Sequence, residues 1–248
     1  MTTLAGPILV IGANGQDGRY LVRSLMQRGA PLAGIDLGGE SLEPVTAFYH
    51  YESVDLRETS VLQRVLSRVD PDYVFHVAAV HASSGGASYE RQFEDMLAVN
   101  VRSVHTVLEF FRQRPTRPGH LLYASSIKAF GEPLTGEIGP SSPRRSTCLY
   151  GVTKNAAHDV IEHYRRCHAV AAGTIFLSNH ESPLRPPGFF STDLAAAVAR
   201  IISSSPDATP IEMRSLDFFC DWGSAAEYAD FMVELLTHAP GRDFVLAR

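Results

Sequence analysis

Short apolar runs alternate with longer amphipathic segments along the chain. Five of these runs have no charged residue in their interior, and they lie at 8–13, 31–36, 73–79, 120–126 and 171–178. Such runs are typical of parallel strands buried on both faces, whereas the segments between them have helical spacing. The alternation predicts βαβ units and hence an α/β fold with a doubly wound parallel sheet. The Pro-, Ser- and Gly-rich stretches at 131–147 and 182–192 are predicted to be long loops around a site.

The composition fits a globular chain that buries its own core. The chain has 248 residues, 45% of them hydrophobic, and a formal net charge of −5. It has no long basic run for nucleic acid, no apolar run near the roughly 18 residues that cross a bilayer, and no basic leader. Its three cysteines, Cys148, Cys167 and Cys220, are too scattered for a disulfide framework or a metal cluster. We therefore expect a cytoplasmic protein without a nucleic-acid, membrane or metal partner.

A glycine-rich segment, GANGQDG, follows the first apolar run and places Gly12, Gly15 and Gly18 before a predicted helix. Glycine lets the backbone turn sharply and approach a pyrophosphate, whose charge the N-terminus of the helix stabilises. Asp36 ends the second predicted strand, where a carboxylate accepts hydrogen bonds from ribose hydroxyls and repels a 2′-phosphate. The pattern predicts a Rossmann-type domain that prefers NAD to NADP. Asp55, after the third strand, is placed to contact the adenine amino group or to cap a helix.

Tyr150 and Lys154 lie one helical turn apart, on the same face of a predicted helix. A phenol has a pKa of about 10, too high for a base at neutral pH, but a nearby ammonium favours the phenolate. Ser126 ends the preceding strand, and its hydroxyl can share the substrate oxygen with Tyr150. The three residues predict a device that moves a proton while a hydride moves to or from a nicotinamide. Lys154 can also hold the nicotinamide ribose.

The motifs GANGQDGRYLVRSL, YGVTK, NHESP and DWG resemble those of the extended short-chain dehydrogenases/reductases, in the NAD-dependent epimerase/dehydratase group. NHESP and DWG are the narrower signals, and they resemble the GDP-mannose 4,6-dehydratase branch and its relative, GDP-4-keto-6-deoxymannose reductase. The resemblance implies an NAD-binding domain over 1–178, a small, shortened substrate lobe over 179–248 and a nucleotide-sugar substrate. It also implies a homodimer formed by helices at about 92–113 and 150–167. Both helices carry apolar residues on more than one side, for example Val101, Val104, Leu108 and Phe111.

The motifs and the resemblance together imply roles for individual residues. The catalytic group would be Ser126, Tyr150 and Lys154. The cofactor would be bound by Gly12, Gly15, Gln16, Asp17, Gly18, Asp36, Asp55, Leu56, Ala78, Ala79 and Lys154. The substrate would be bound by Ser126, Lys128, Asn179 and Arg185. Asn100 would be a structural asparagine near the active site.

Three departures from the family pattern bear on the chemistry. Lys128 occupies the position of the glutamate that removes the C5 proton in dehydratases, and Cys220 replaces a phosphate-binding arginine. The chain also stops at 248, where relatives continue for several tens of residues. A protonated lysine does not remove a proton, so the first hypothesis is hydride transfer at C4 of a nucleotide-linked hexose by an epimerase or 4-keto reductase. The alternatives are a 4,6-dehydratase with another base, such as Glu181, and a non-catalytic NAD-binding module.

Overall fold

A computed structural model describes residues 4, 6–81, 88–114, 116–117, 119–203 and 220–248. The strands found in these residues are β1 (Ile8–Ile11), β2 (Leu32–Asp36), β3 (His50–Ser53), β4 (Tyr73–His76), β5 (His120–Ser126), β6 (Ala171–Leu177), β7 (Asn179–Glu181), β8 (Trp222–Ser224) and β9 (Phe244–Leu246). The α-helices are α1 (Gln16–Gln27), α2 (Thr59–Val69), α3 (Phe93–Met96), α4 (Ser103–Arg112), α5 (Leu149–His168), α6 (Phe190–Ser203) and α7 (Ala225–His238). A π-helical segment, Leu97–Arg102, joins α3 to α4. None of the helices in the described ranges combines the length and the apolar character that a membrane crossing requires.

Seven strands form one parallel sheet in the order β3-β2-β1-β4-β5-β6-β9. The order reverses at β1, because β2 lies on one side of it and β4 on the other. The connections that leave β1 and β4 therefore diverge, and a crevice opens at the carboxyl ends of these strands. This arrangement confirms the doubly wound, Rossmann-type sheet, and β1 lies within the first predicted run at 8–13. β7 and β8 form a separate parallel pair.

The side chains of β1 alternate between two hydrophobic cores, one on each face of the sheet. Leu9 and Ile11 enter the core that contains residues of α2, α4 and α5. Ile8 and Val10 enter the core that contains residues of α1 and α7. All four side chains are fully buried. Burial on both faces explains why the strands of this sheet have uninterrupted apolar sequences.

The predicted boundary at residue 178 needs correction in the C-terminal part of the chain. α7 packs on α1, where Ser24 donates a hydrogen bond to Asp230, and β9 extends the large sheet beside β6. Residues 225–248 therefore lie with the sheet, although they were assigned to the substrate lobe. The hydrophobic pattern could not show this, because it does not tell which sheet edge a late strand joins. Of the other residues assigned to the lobe, β7, β8 and α6 lie outside the large sheet, and 204–219 lie outside the described residues.

Three of the residues that suggested a dimer interface pack inside the chain's own core. Val104, Leu108 and Phe111 are at most 3% exposed and contact the core that α2 and α5 share. Val101 is partly buried against the same core. Val104, Leu108 and Phe111 therefore belong to the side of the helix that faces the chain's own core. The homodimer itself stays a prediction.

Candidate active site

The glycine-rich loop lies between β1 and α1, at the carboxyl edge of the sheet. Gly12 has a φ of +95°, and a Cβ there would lie 2.6 Å from the backbone nitrogen of Ala78, which follows β4. A Cβ on Gly18 would lie 1.9 Å from the carbonyl oxygen of Gly12. Glycine fits both positions because it has no side chain to collide with the neighbouring backbone. The loop is thus held against β4 and α1, as a backbone cradle for a pyrophosphate requires.

A cavity of about 540 Å³ lies against this loop. Seven of the residues predicted to bind the cofactor line it, namely Gly12, Gly15, Asp36, Asp55, Leu56, Ala78 and Ala79. Its lining also includes Asn14, Arg57, Gln92, Asp95 and Val99, which the sequence patterns did not single out. Backbone amides, apolar walls and a carboxylate at the end of β2 fit the adenosine and pyrophosphate parts of a dinucleotide such as NAD.

The Asp36 carboxylate is oriented by two backbone groups. It accepts hydrogen bonds from the backbone N–H of Asn14 at 2.8 Å and from that of Leu37 at 2.7 Å. A carboxylate offers about four acceptor positions, so these bonds leave room for ribose hydroxyls. The structure therefore places Asp36 on the cavity wall in an arrangement suited to the predicted contact.

Asp55 is tightly engaged by Arg57, a residue that sequence reasoning missed. The guanidinium donates to both carboxylate oxygens, at 2.6 to 3.0 Å, and the Arg57 backbone N–H donates to one of them at 2.9 Å. The side-chain hydrogen bond from Arg57, followed by the backbone bond, holds the pKa of Asp55 below its usual value. Arg57 also pairs with Asp95 at 3.4 Å. The sequence feature that could have indicated Arg57 is its position directly after the VDL segment, which follows a strand of the sheet.

Gln16 and Asp17 turn away from this cavity and contact the NHESP segment. His180 lies 2.9 Å from Asp17 through Nε2, and Gln16 donates to the His180 carbonyl oxygen at 3.2 Å and accepts from Ser182 at 2.9 Å. Burial by itself would raise the pKa of Asp17. The charge of His180 and the hydrogen bonds from His180 and Gln16 more than offset this, so the pKa of Asp17 lies below its ordinary value. Burial by itself would lower the pKa of His180. The Asp17 carboxylate more than offsets this, so the pKa of His180 lies above its ordinary value. A largely buried ion pair thus joins the glycine-rich loop to β7.

The start of α5 lies along the end of β5 and the turn that follows it. Lys154 donates to the carbonyl oxygen of Ala124 in β5 at 2.8 Å. A Cβ on Gly151 would lie 2.4 Å from the carbonyl oxygen of Lys128. Tyr150 therefore lies beside the segment that carries Ser126. The Ser126 hydroxyl accepts the backbone N–H of Lys128 at 3.2 Å, which leaves its own hydrogen for another acceptor.

The protonation of the Tyr150–Lys154 pair differs from the prediction. Burial raises the pKa of Tyr150 above its ordinary value, with smaller contributions from Tyr89 and Asp17. Burial also lowers the pKa of Lys154 to about 7, and Asp17 opposes this shift only in part. The Lys154 Nζ lies 5.5 Å from the centre of the Tyr150 ring. Burial is the largest influence on both groups, and it favours the neutral phenol over the phenolate that the spacing predicts.

The predicted substrate residues lie around this centre. The Lys128 ammonium forms an ion pair with Glu132, four residues further along the chain. Arg185 pairs with Glu181 at 3.1 Å, and its guanidinium lies 4.3 Å from the centre of the Phe189 ring. Glu181, considered as a substitute base, is therefore engaged by a cation.

Asn179 and Cys220 meet where β7 begins. The Asn179 amide donates to the Cys220 sulfur at 2.8 Å. Burial raises the pKa of the Cys220 thiol, so the thiol is neutral at neutral pH. The position that holds a phosphate-binding arginine in the family pattern therefore supplies no charge here.

Asn100 has the structural role that the resemblance implied. Its side chain is fully buried, accepts the backbone N–H of Val80 at 2.9 Å and donates to Thr153 at 3.1 Å. The backbone carbonyl oxygen of Asn100 accepts a hydrogen bond from the Tyr123 hydroxyl at 2.9 Å. Asn100 thereby ties the segment after β4 to α5, three residues beyond Tyr150.

An aromatic group next to Tyr150 was also missed. The His81 ring lies edge-on to the Tyr150 ring with centres 4.5 Å apart, and stacks on Phe189 at 5.7 Å. The Tyr89 ring is roughly parallel to that of Tyr150 at 6.2 Å. The position of His81, five residues after the end of β4, was the only sequence signal, since sites of this fold lie beyond the carboxyl ends of strands.

Comparisons with known proteins agree with this geometry. The chain is 28% identical over 260 residues to GDP-mannose 4,6 dehydratase 2 of Caenorhabditis elegans, with 96% of this chain and 65% of that relative covered. It is also 28% identical over 254 residues to the GDP-mannose 4,6-dehydratase of Vibrio cholerae, covering 96% of this chain and 66% of that protein. The chain thus spans about two thirds of the length of these relatives.

Solved structures share the fold. A putative epimerase from Burkholderia cenocepacia superposes with a TM-score of 0.82 at 19% identity, covering 99% of this chain and 76% of that one. The UDP-glucose 4-epimerase of Thermus thermophilus, solved with NAD, gives a TM-score of 0.78 at 21% identity, covering 97% and 77%. The family model described as "NAD dependent epimerase/dehydratase family" matches residues 8–247. The chain therefore belongs to this family of NAD-dependent enzymes, as its motifs indicated.

Proposed function

We propose that the protein is an NAD-dependent oxidoreductase that transfers a hydride at C4 of a nucleotide-linked hexose, as a 4-keto reductase or an epimerase. One observation carries the proposal: Tyr150 and Lys154 lie beside the segment of Ser126, while the neighbouring Lys128 has its ammonium paired with Glu132. The site thus has the groups for oxidation and reduction at C4, and a cation where elimination needs a base. The nucleotide-sugar class comes from the family and from the printed activities of the relatives.

The proton chemistry follows from the residues. When bound, the nicotinamide supplies or accepts the hydride. During reduction the Tyr150 hydroxyl gives its proton to the C4 oxygen as the carbon takes the hydride, and the Ser126 hydroxyl donates a hydrogen bond to the same oxygen. The raised pKa of Tyr150 supports this direction, because the neutral phenol is the form that acts as an acid. Lys154 of α5, held by its hydrogen bond to the Ala124 carbonyl oxygen of β5, would orient the nicotinamide ribose.

The cofactor is proposed to be NAD and not NADP. Asp36 offers an oriented carboxylate on the cavity wall, and Arg57, the cation in that lining, is already paired with Asp55 and Asp95. A 2′-phosphate would meet like charge at Asp36, whereas ribose hydroxyls would find acceptors. A homodimer belongs to the proposal on the family resemblance, and a cytoplasmic location on the composition of the chain.

The experiment is a product survey with protein that has been stripped of bound nucleotide. GDP-mannose, UDP-glucose and dTDP-glucose are each incubated with NAD⁺, and a 4-keto nucleotide sugar is incubated with NADH. Mass spectrometry and NMR identify the products, and Tyr150→Phe is the control. A C4 epimer or a reduced 4-keto group supports the proposal. If the protein binds the added NAD⁺ but forms no product changed at C4 from any of these nucleotide sugars, the result would favour the non-catalytic NAD-binding module.

A nucleotide-sugar 4,6-dehydratase is the second candidate, because the Glu132 carboxylate lies against the Lys128 ammonium, beside the position of the missing base. Glu132 pairs with Lys128 and also acts on the titration of Tyr89, which lies near Tyr150. Glu132 would then remove the C5 proton. A 4-keto-6-deoxy product that is lost in Glu132→Gln and strengthened in Lys128→Glu would establish this reaction.

A further inference from the structure

His81 is fixed beside Tyr150 by rings on three sides. Its ring lies edge-on to Tyr150 at 4.5 Å, edge-on to Tyr89 at 5.9 Å and stacked on Phe189 at 5.7 Å. Such ring pairs restrict rotation of the imidazole and add to its burial. The imidazole is therefore an oriented polar group in an otherwise aromatic wall next to the phenol that acts at C4.

One nitrogen of this imidazole has no hydrogen-bond partner among the described residues. The Nδ1 atom is buried and unpaired, and the Nε2 atom lies 3.4 Å from the Tyr89 hydroxyl. A buried polar atom without a partner is uncommon, and a bound ligand is one way to satisfy it. The imidazole is neutral at neutral pH, because burial, followed by the charges of Lys154, Arg185 and Lys128, lowers the pKa of His81 to about 4. A neutral imidazole accepts from a hydroxyl in one tautomer and donates to it in the other.

We propose that His81 is a further specificity-determining residue, which forms a hydrogen bond through Nδ1 to a hydroxyl of the hexose that lies against Tyr150. The assignment rests on the proposed function for the identity of the ligand. The Tyr89 ring would cover the apolar side of the sugar ring, and His81 would distinguish sugars by the hydroxyl that it contacts. A sugar without that hydroxyl would leave Nδ1 unpaired, which is how buried polar groups discriminate between close analogues.

Two substitutions separate the hydrogen bond from the packing. His81→Phe keeps an aromatic ring without a polar atom, whereas His81→Asn keeps a polar atom near the position of Nδ1. Isothermal calorimetry with NAD⁺ present measures the affinity of wild type and both variants for GDP-mannose, UDP-glucose and dTDP-glucose. The matching nucleoside diphosphates, which have no hexose, are the control ligands. Thermal melting and the affinity for NAD⁺ report the packing role.

For the sugar nucleotide that wild type binds, we expect His81→Phe to weaken binding roughly 10- to 100-fold and His81→Asn only a few-fold. Affinities for NAD⁺ and for the nucleoside diphosphate should not change. Equal affinity of wild type and both variants for that sugar nucleotide would overturn the proposal. Failure of wild type to bind GDP-mannose, UDP-glucose or dTDP-glucose would also overturn it. A parallel loss of NAD⁺ affinity and melting temperature would also overturn it, by showing a packing role. The assay needs no turnover, so it stands even if the C4 reaction fails in the product survey.

Discussion

The burial of Lys154 predicts a pH-dependent gain in stability when this residue is replaced. Its side chain is 1% exposed, and its Nζ donates to the Ala124 carbonyl oxygen at 2.8 Å. Burial lowers its pKa from 10.5 to about 7, against the opposing charge of Asp17. The folded protein therefore holds a lysine that gives up its proton more easily than the unfolded chain does.

The sign of the effect follows from proton binding. Between pH 7 and 10.5 the unfolded chain keeps a proton on Lys154 that the folded chain has lost, so stability rises with pH. Above 10.5 both states are neutral and the penalty is absent, and below 7 it is present in full. With each pH unit worth about 1.4 kcal/mol, this group alone should change the free energy of unfolding by about 2.5 kcal/mol between roughly pH 7.5 and 9.5.

Urea unfolding of the ligand-free protein at several pH values measures this change. Lys154→Met keeps most of the packing without a charge, so its free energy of unfolding should exceed that of wild type by more at about pH 7.5 than at about pH 9.5. The lost hydrogen bond to Ala124 shifts the difference by about 1 kcal/mol at every pH, so the slope is the decisive quantity. Lys128→Met is the matched control, because Lys128 is 35% exposed and is the other lysine of the chain. A difference between Lys154→Met and wild type that is constant with pH would refute the reasoning.

Four further predictions concern catalysis, the cofactor, the loop ion pair and assembly. Tyr150→Phe should reduce turnover on a confirmed substrate by about 10²- to 10⁴-fold with unchanged NAD⁺ affinity, and full activity in a steady-state assay would contradict the assigned role. Asp36→Ala should narrow the preference for NAD over NADP in a fluorescence titration, and a wild type that binds NADP more tightly would disprove the assignment. The raised pKa of His180 means that its pair with Asp17 stabilises the fold below pH 6.5 and loses this effect as pH rises through the raised pKa. Thermal melting should therefore show a larger deficit of His180→Asn at about pH 6 than at about pH 9, and an equal deficit at both would exclude the pair as the cause. Light scattering at micromolar concentration should show a dimer, and a monomer would count against it.

Several features of the fold and the candidate site depend on local spacing and could be predicted from the amino-acid sequence. Apolar runs with uninterrupted interiors marked the buried strands, because both faces of a parallel sheet are covered. The glycine spacing fixed the loop at Gly12, whose φ and contact with Ala78 exclude a side chain. The same kind of spacing predicted that Asp36 ends the second strand and that Tyr150 and Lys154 lie one turn apart on a helix. Each of these is a short-range relation that survives folding unchanged.

The contacts between segments that are distant in the sequence became visible only in the folded chain. The pair of Asp17 with His180 spans 163 residues, and the contact of His81 with Tyr150 joins the segment after β4 to the start of α5. The return of α7 and β9 to the large sheet is of the same kind, since the hydrophobicity of a segment does not specify which part of the fold it packs against. Burial itself reversed one expectation: the Tyr150–Lys154 spacing indicates a charged pair, but desolvation favours the neutral form of both groups. Desolvation depends on every surrounding atom, and only the folded chain brings those atoms together.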